Sequence, residues 1–183
     1  MHPHFSTLRS LSEIIARHAD VTLGYLTDGA HSLGSCPAGL VPHRATGGTA
    51  LENSGLNTKD MFEKGLKAYI LQNIEPEFDC EKPDTAIMAL KEAEFVVSLS
   101  PFSSESIETY ADVILPVTPF TETSGTYINI EGLWQSFEAV VPPLGEARPA
   151  WKVLRVLGNF FKLDDFEYIS TEEIRDEITE TVF

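Results

Sequence analysis

An α/β fold is expected, with a mostly parallel sheet flanked by helices and a β-hairpin extension. Three observations predict it. Short apolar runs alternate with helical periodicities from Leu8 to Val117, the pattern of strands joined by crossover helices. Phe95–Leu99 is an apolar run broken only by Ser98, as expected of a strand covered on both faces. After Pro119 the pattern changes to two runs of β formers separated by Glu131-Gly132, a hairpin signal.

Leu8, Leu11, Ile14 and Ile15 recur at helical spacing behind the caps Ser6 and Thr7. Val21–Leu26 reads as a short strand, and a long loop with Gly29, Gly34, Gly39, Gly47 and Gly48 follows it. A helix is expected around Asp60–Lys64 and a strand over Lys67–Leu71. Pro83 and Asp84 open a helix whose apolar face is Ala86, Ile87, Leu90 and Ala93. Ser103–Tyr110 fits a short helix, and Val113–Val117 a strand whose pairing ends near Pro116. Tyr127–Ile130 and Trp134–Val140 form the hairpin. Pro149 starts the last strong helix, with Trp151, Leu154, Leu157 and Phe161 along one side. Thr171–Thr179 fits a final short helix in an acidic tail. The expected division is residues 1–163 as part of the α/β domain and 164–183 as an acidic C-terminal segment.

The chain has 183 residues, 43% of them hydrophobic, enough to bury a core. Thirteen basic against 28 acidic side chains give a net charge of -15. That charge opposes nucleic acid and anionic membrane surfaces as partners. No apolar run reaches the roughly 18 residues of a transmembrane helix. The first five residues, Met1 to Phe5, are neither basic nor a hydrophobic signal core. The two cysteines, Cys36 and Cys80, belong to no C-x-x-C pair. They read as reduced thiols, and they cannot supply the ligand clusters of iron-sulfur or zinc sites.

Few residues offer chemistry. The glycine loop lacks both the G-x-G-x-x-G and the G-x-x-x-x-G-K-[ST] pattern, so ordinary turns account for it better than a phosphate cradle. His31 and His43 share that loop without an accompanying carboxylate or thiolate pair, so packing and hydrogen bonding are the expected roles. His2 and His4 are expected at the surface. Glu122, Asn129 and Glu131 sit beside threonines and glycines, where such groups usually satisfy backbone donors. Ser98, Ser100, Ser103 and Ser104 surround Pro101 without a G-x-S-x-G elbow. Cys36 has no basic sequence neighbour to lower its pKa.

A family resemblance begins at Ala111. Ala111-Asp112-Val113-Ile114-Leu115-Pro116 leads to Glu122, then to Gly125-Thr126-Tyr127-Ile128-Asn129-Ile130-Glu131-Gly132, then to Pro142-Pro143 and Gly145–Trp151. This order resembles the molybdopterin oxidoreductases, the formate dehydrogenase and DMSO reductase type. Gly24–Gly34 followed by Ala38-Gly39-Leu40-Val41-Pro42-His43-Arg44 narrows it. Those segments resemble the large iron-sulfur subunit of NADH:quinone oxidoreductase, the ion-translocating respiratory complex I, over roughly residues 1–165.

The resemblance implies a scaffold segment of a subunit that extends upstream of Met1. The parent would carry iron-sulfur clusters and help pass electrons from NADH to quinone, with no catalytic residue, cofactor or metal in this segment. The implied partners are the rest of its own subunit and other peripheral-arm subunits, on the cytoplasmic side of the bacterial inner membrane. His31 replaces the family's usual asparagine, and Leu133 stands where many relatives have arginine. Both changes weigh against a bound molybdenum cofactor, because a guanidinium is a good phosphate partner. A vestigial pocket, if retained, would involve Ser32, Gly34, Gly125, Thr126, Asn129, Glu131 and Gly132. The alternatives are a fragment of a molybdopterin-dependent enzyme such as a formate dehydrogenase, and a nucleotide-binding module.

Overall fold

A computed structural model describes residues 5–27 and 29–182. His2 and His4 lie outside the described residues, as does Asp28 of the loop motif.

The sheet has three parallel strands in the order β1-β2-β3: β1 (Ala68–Gln72), β2 (Phe95–Ser100) and β3 (Val113–Pro116). The register pairs Ile70 with Val97 and Leu99 with Leu115. β1 and β2 are joined by α3 (Pro76–Asp79) and α4 (Pro83–Glu92), and β2 and β3 by a 3-10 turn at Ile107–Thr109. The mostly parallel α/β arrangement is therefore as expected. Burial explains the apolar runs. Val96 and Leu99 of β2, the central strand, are sealed from water, and Leu90 of α4 and Ile107 close over the sheet. Phe62 of α2 (Thr58–Lys64) stacks on Tyr69 at 5.5 Å between ring centroids. The Tyr69 hydroxyl accepts from Leu66 N and donates to Met61 O, which fixes the α2–β1 turn.

The second sheet is the antiparallel hairpin of β4 (Gly125–Ile128) and β5 (Trp134–Phe137). Its connection is a five-residue loop, 129–133, rather than a two-residue Glu131-Gly132 turn. Asn129 builds that loop, its Oδ1 accepting from Glu131 N at 2.9 Å and Leu133 N at 3.0 Å. Gly132, at φ 82°, supplies the left-handed step.

α1 (Phe5–Ala19) buries only Ala16, and its apolar stripe of Leu8, Leu11, Ile14 and Ile15 stays exposed. Val21–Leu26 forms no strand. A strand needs a neighbour to take its backbone bonds, and none pairs with this segment among the described residues. Ser103–Tyr110 shortens to the 3-10 turn, because Ser104 Oγ accepts from Ile107 N and local serine bonds compete with a longer helix.

α5 (Ala150–Phe160) and α6 (Thr171–Val182) close the chain. α6 starts at a capping-box sequence. Ser170 Oγ accepts from Glu173 N, and the Glu173 carboxylate accepts from Ile169 N at 2.7 Å. The helix packs against β4 and the 3-10 turn Thr46–Gly48.

Candidate functional site

The glycine loop, the start of the hairpin and α6 enclose a cleft of about 370 Å³. His31, Gly34 and Ala38 line it from the loop, and Gln72 from the end of β1. The hairpin contributes Gly125, Thr126, Ile128 and Trp134, and α5 contributes Trp151. Thr171, Ile174, Arg175 and Ile178 of α6 form the remaining wall.

Of the seven vestigial-pocket candidates, three meet here: Gly34, Gly125 and Thr126. Asn129, Glu131 and Gly132 occupy the hairpin tip and do not line the cleft. Ser32 faces a separate surface groove with Tyr25 and Thr27, and its Oγ accepts from Gly29 N at 3.1 Å. The reasoning from sequence missed Gln72, Trp134, Trp151, Ile174, Arg175 and Ile178. Arg175 had one available signal, as a cation within an acidic tail, but its local pattern does not say what it covers.

His31 organises the site. Its Nδ1 accepts from Ile128 N at 2.9 Å across 97 positions of sequence. That assigns the proton of the neutral ring to Nε2. Partial burial lowers its pKa below the ordinary imidazole value, which favours the neutral form this bond requires. The ring also lies 5.3 Å from Tyr127, which lies 5.0 Å from Phe137. Two glycines make the approach possible. A Cβ at Gly34 would run into the His31 ring, and one at Gly125 would come within 2.9 Å of Phe137 Cζ.

The loop spends its amides on itself. Gly34 N donates to His31 O, Ala38 N to Gly34 O, Gly39 N to Cys36 O and Gly47 N to Pro37 O. Those donors form turns rather than a nest for an anion. Glu122 is structural, accepting from Leu144 N at 3.0 Å. Ser100 Oγ bonds both polar backbone atoms of Phe102, and Ser103 Oγ donates to Glu108. His43 is exposed, and the side chain of Arg44 donates to Gly48 O. Burial, with Asp79 and Glu77 nearby, pushes the Cys80 thiol up, away from the reactive thiolate.

A model of the family described as molybdopterin oxidoreductase matches residues 7–160. The chain belongs to the molybdopterin oxidoreductase family. It is 33% identical over 135 residues to the assimilatory nitrate reductase catalytic subunit of Bacillus subtilis (strain 168), covering 71% of this chain and 19% of that protein. A Staphylococcus aureus (strain MRSA252) protein named with the formate dehydrogenases is 40% identical over 70 residues, covering 38% of this chain and 7% of the relative. The chain thus spans a minor part of the curated relatives it matches.

The family name implies a molybdenum-pterin group, and the cleft residues do not fit one. A pterin dinucleotide brings a diphosphate, which needs cations or free backbone donors. Among the described residues Arg175 is the one cation of Lys or Arg type on the wall, and it already donates to Ser136 Oγ and Asp176. Among the described residues the buried side-chain polar atoms left without a partner belong to Glu77, Tyr110, Thr118 and Arg155, and none of these lines the cleft. Among the described residues no group of three or more His, Cys, Asp or Glu side chains could hold a metal ion.

Proposed function

We propose that this chain is a scaffold segment of the large iron-sulfur subunit of NADH:quinone oxidoreductase. The carrying observation is the His31 ring, which takes the Ile128 N–H and fills the space over Gly34. On this reading nothing is held over Gly34, because the His31 ring stands there. The loop ending in Ala38-Gly39-Leu40-Val41-Pro42-His43-Arg44, with its resemblance to complex I, supports the same reading. In this role the α/β unit supports the cluster-bearing part of its subunit, and the acidic surface faces neighbouring peripheral-arm subunits. The site of action is the cytoplasmic side of the bacterial inner membrane. Electrons pass through the parent's clusters, not through this segment.

A second reading is a segment of a formate dehydrogenase or nitrate reductase. The named relatives favour it. Native gels of membranes from the source organism separate the two, with this chain located by antibody. On the first reading the band that holds the chain reduces a tetrazolium dye with NADH and not with formate. A band stained with formate and viologen, or by nitrate-dependent viologen oxidation, would replace it with the second.

A further inference from the structure

We propose that the groove along α5 is a binding site for a monocarboxylate with an apolar body, of the medium-chain fatty acid type. It shares only Trp151 with the cleft described above. The inference does not depend on which oxidoreductase contains the chain, so the native-gel result can fail while this one stands.

The groove encloses about 630 Å³, within the range of roughly 300–1,000 Å³ usual for small-molecule sites. Val153, Leu157 and Phe160 line it from α5. They are three to four residues apart, which puts them on one face of the helix. Leu115 of β3, with Tyr168 and Ile169 from the segment before α6, completes the apolar lining. Phe160 is 79% exposed and Ile169 76%, so apolar surface stands in water that an alkyl chain would cover. From Val153 to Phe160 the helix rises about 10 Å, which suits a chain of medium length.

The charged lining has one sign. Arg148, Lys152 and Arg155 face the groove and no Asp or Glu does, in a chain with 28 acidic and 13 basic side chains. The ion pairs among the described residues use Arg9, Lys59, Lys67, Lys82 and Arg175, and none of these three. Arg148 Nη1 is held by Ala147 O at 2.8 Å, and Lys152 Nζ lies 5.2 Å from the centre of the Trp151 ring. Arg155 Nε is shut off from water and has no acceptor. An unmet buried donor is costly, and Lys152 and Arg155, one turn apart, repel each other. An anion in the groove offsets both, because guanidinium and carboxylate pair through charge-assisted hydrogen bonds. The net charge of -15 selects among anions. It repels a polyphosphate far more than a single carboxylate, so a nucleotide fits the groove less well than a fatty acid.

Isothermal titration calorimetry of the 183-residue chain with decanoate, kept below its micelle-forming concentration, tests the proposal. The heat should saturate at one site. Lys152→Gln with Arg155→Gln should weaken binding about tenfold or more, as loss of a hydrogen bond to a charged group predicts. Lys91→Gln, which removes a cation outside the groove, should leave it unchanged. Decanol and acetate should each bind far more weakly than decanoate. In nitrogen-15 spectra of the unaltered chain, decanoate should move the amides of 152–160 and 168–169. Absence of saturable heat overturns the proposal. So does decanol binding as tightly as decanoate, which means apolar adsorption, or acetate doing so, which means an ion site only. Equal weakening by Lys91→Gln, or amide changes centred on the exposed stripe of α1, overturns it as well. If the double variant unfolds, the three ligands and the amide map on the unaltered chain decide.

Discussion

Replacing His31 with alanine removes the acceptor of the Ile128 N–H, and the hairpin cannot supply another. Its ladder uses the alternate position, Asn129 N to Leu133 O, so Ile128 N points away from β5. Ile128 is buried. A buried donor left unmade costs about 1–3 kcal/mol. The contact with Tyr127, at 5.3 Å, adds about 0.5–1.5 kcal/mol for an aromatic pair. The expected loss is therefore about 2–4 kcal/mol, read by urea denaturation at pH 7.5. His31→Asn offers a carbonyl acceptor and should recover part of it. The pH dependence has a definite sign. The folded pKa lies below the ordinary 6.5, so the unfolded chain takes up the proton first. Stability from this group is complete above pH 6.5 and is lost as the pH falls below it toward the folded pKa. His31→Ala should remove that dependence. A loss within about 0.5 kcal/mol, the usual effect of a neutral surface change, with the pH profile unchanged, would refute the role given to His31.

Three further outcomes are expected. Leu90→Ala, at a fully buried position of the main core, should cost about 2–5 kcal/mol in the same denaturation assay. Asp112→Ala should cost about 1–3 kcal/mol, because the Asp112 carboxylate accepts from Val96 N at 2.7 Å and ties the end of the crossover to β2. In an ultraviolet titration, Tyr110 and Tyr168 should ionise late, both pushed up to about 12. Burial is the larger cause for Tyr110, and the hydrogen bond to Glu177 for Tyr168. A raised phenol pKa contributes stability below its unfolded value near 10, and this is lost as pH rises through about 12. Tyr168→Phe should remove one of the two late transitions.

Helices were legible wherever apolar positions recur at helical spacing, in α1 and α5 even though most of that stripe is not buried. Phe95–Leu99 was legible as a strand from its β formers, but Phe95 is exposed and Val97 only part-buried, so the expected cover on both faces holds only toward its C-terminal end. The α4 and α5 helices carry apolar positions at helical spacing after a proline. Val21–Leu26 failed because a β-forming run becomes a strand only beside a partner. The hairpin was located correctly and its turn was not, since Asn129 captures two amides and lengthens the loop. At the cleft, Gly34 and Gly125 were legible as glycines in motif positions, but the glycines alone do not show which face they share. Ser32 sits beside Gly34 in the chain and outside the cleft. Ile174 and Ile178 look like the apolar face of any short amphipathic helix. They line one cleft with loop and hairpin residues about 40 to 150 positions upstream, and short-range periodicity does not encode that.

Elemental analysis reaches the central claim most directly. The protein is purified from a host that makes the pterin cofactor and is grown with excess molybdate, and molybdenum is then quantified by mass spectrometry. With the His31 ring over Gly34 and the Arg175 guanidinium already paired, the metal should stay at the level of the buffer blank. One molybdenum per chain, released together with a pterin on acid treatment, would contradict the account.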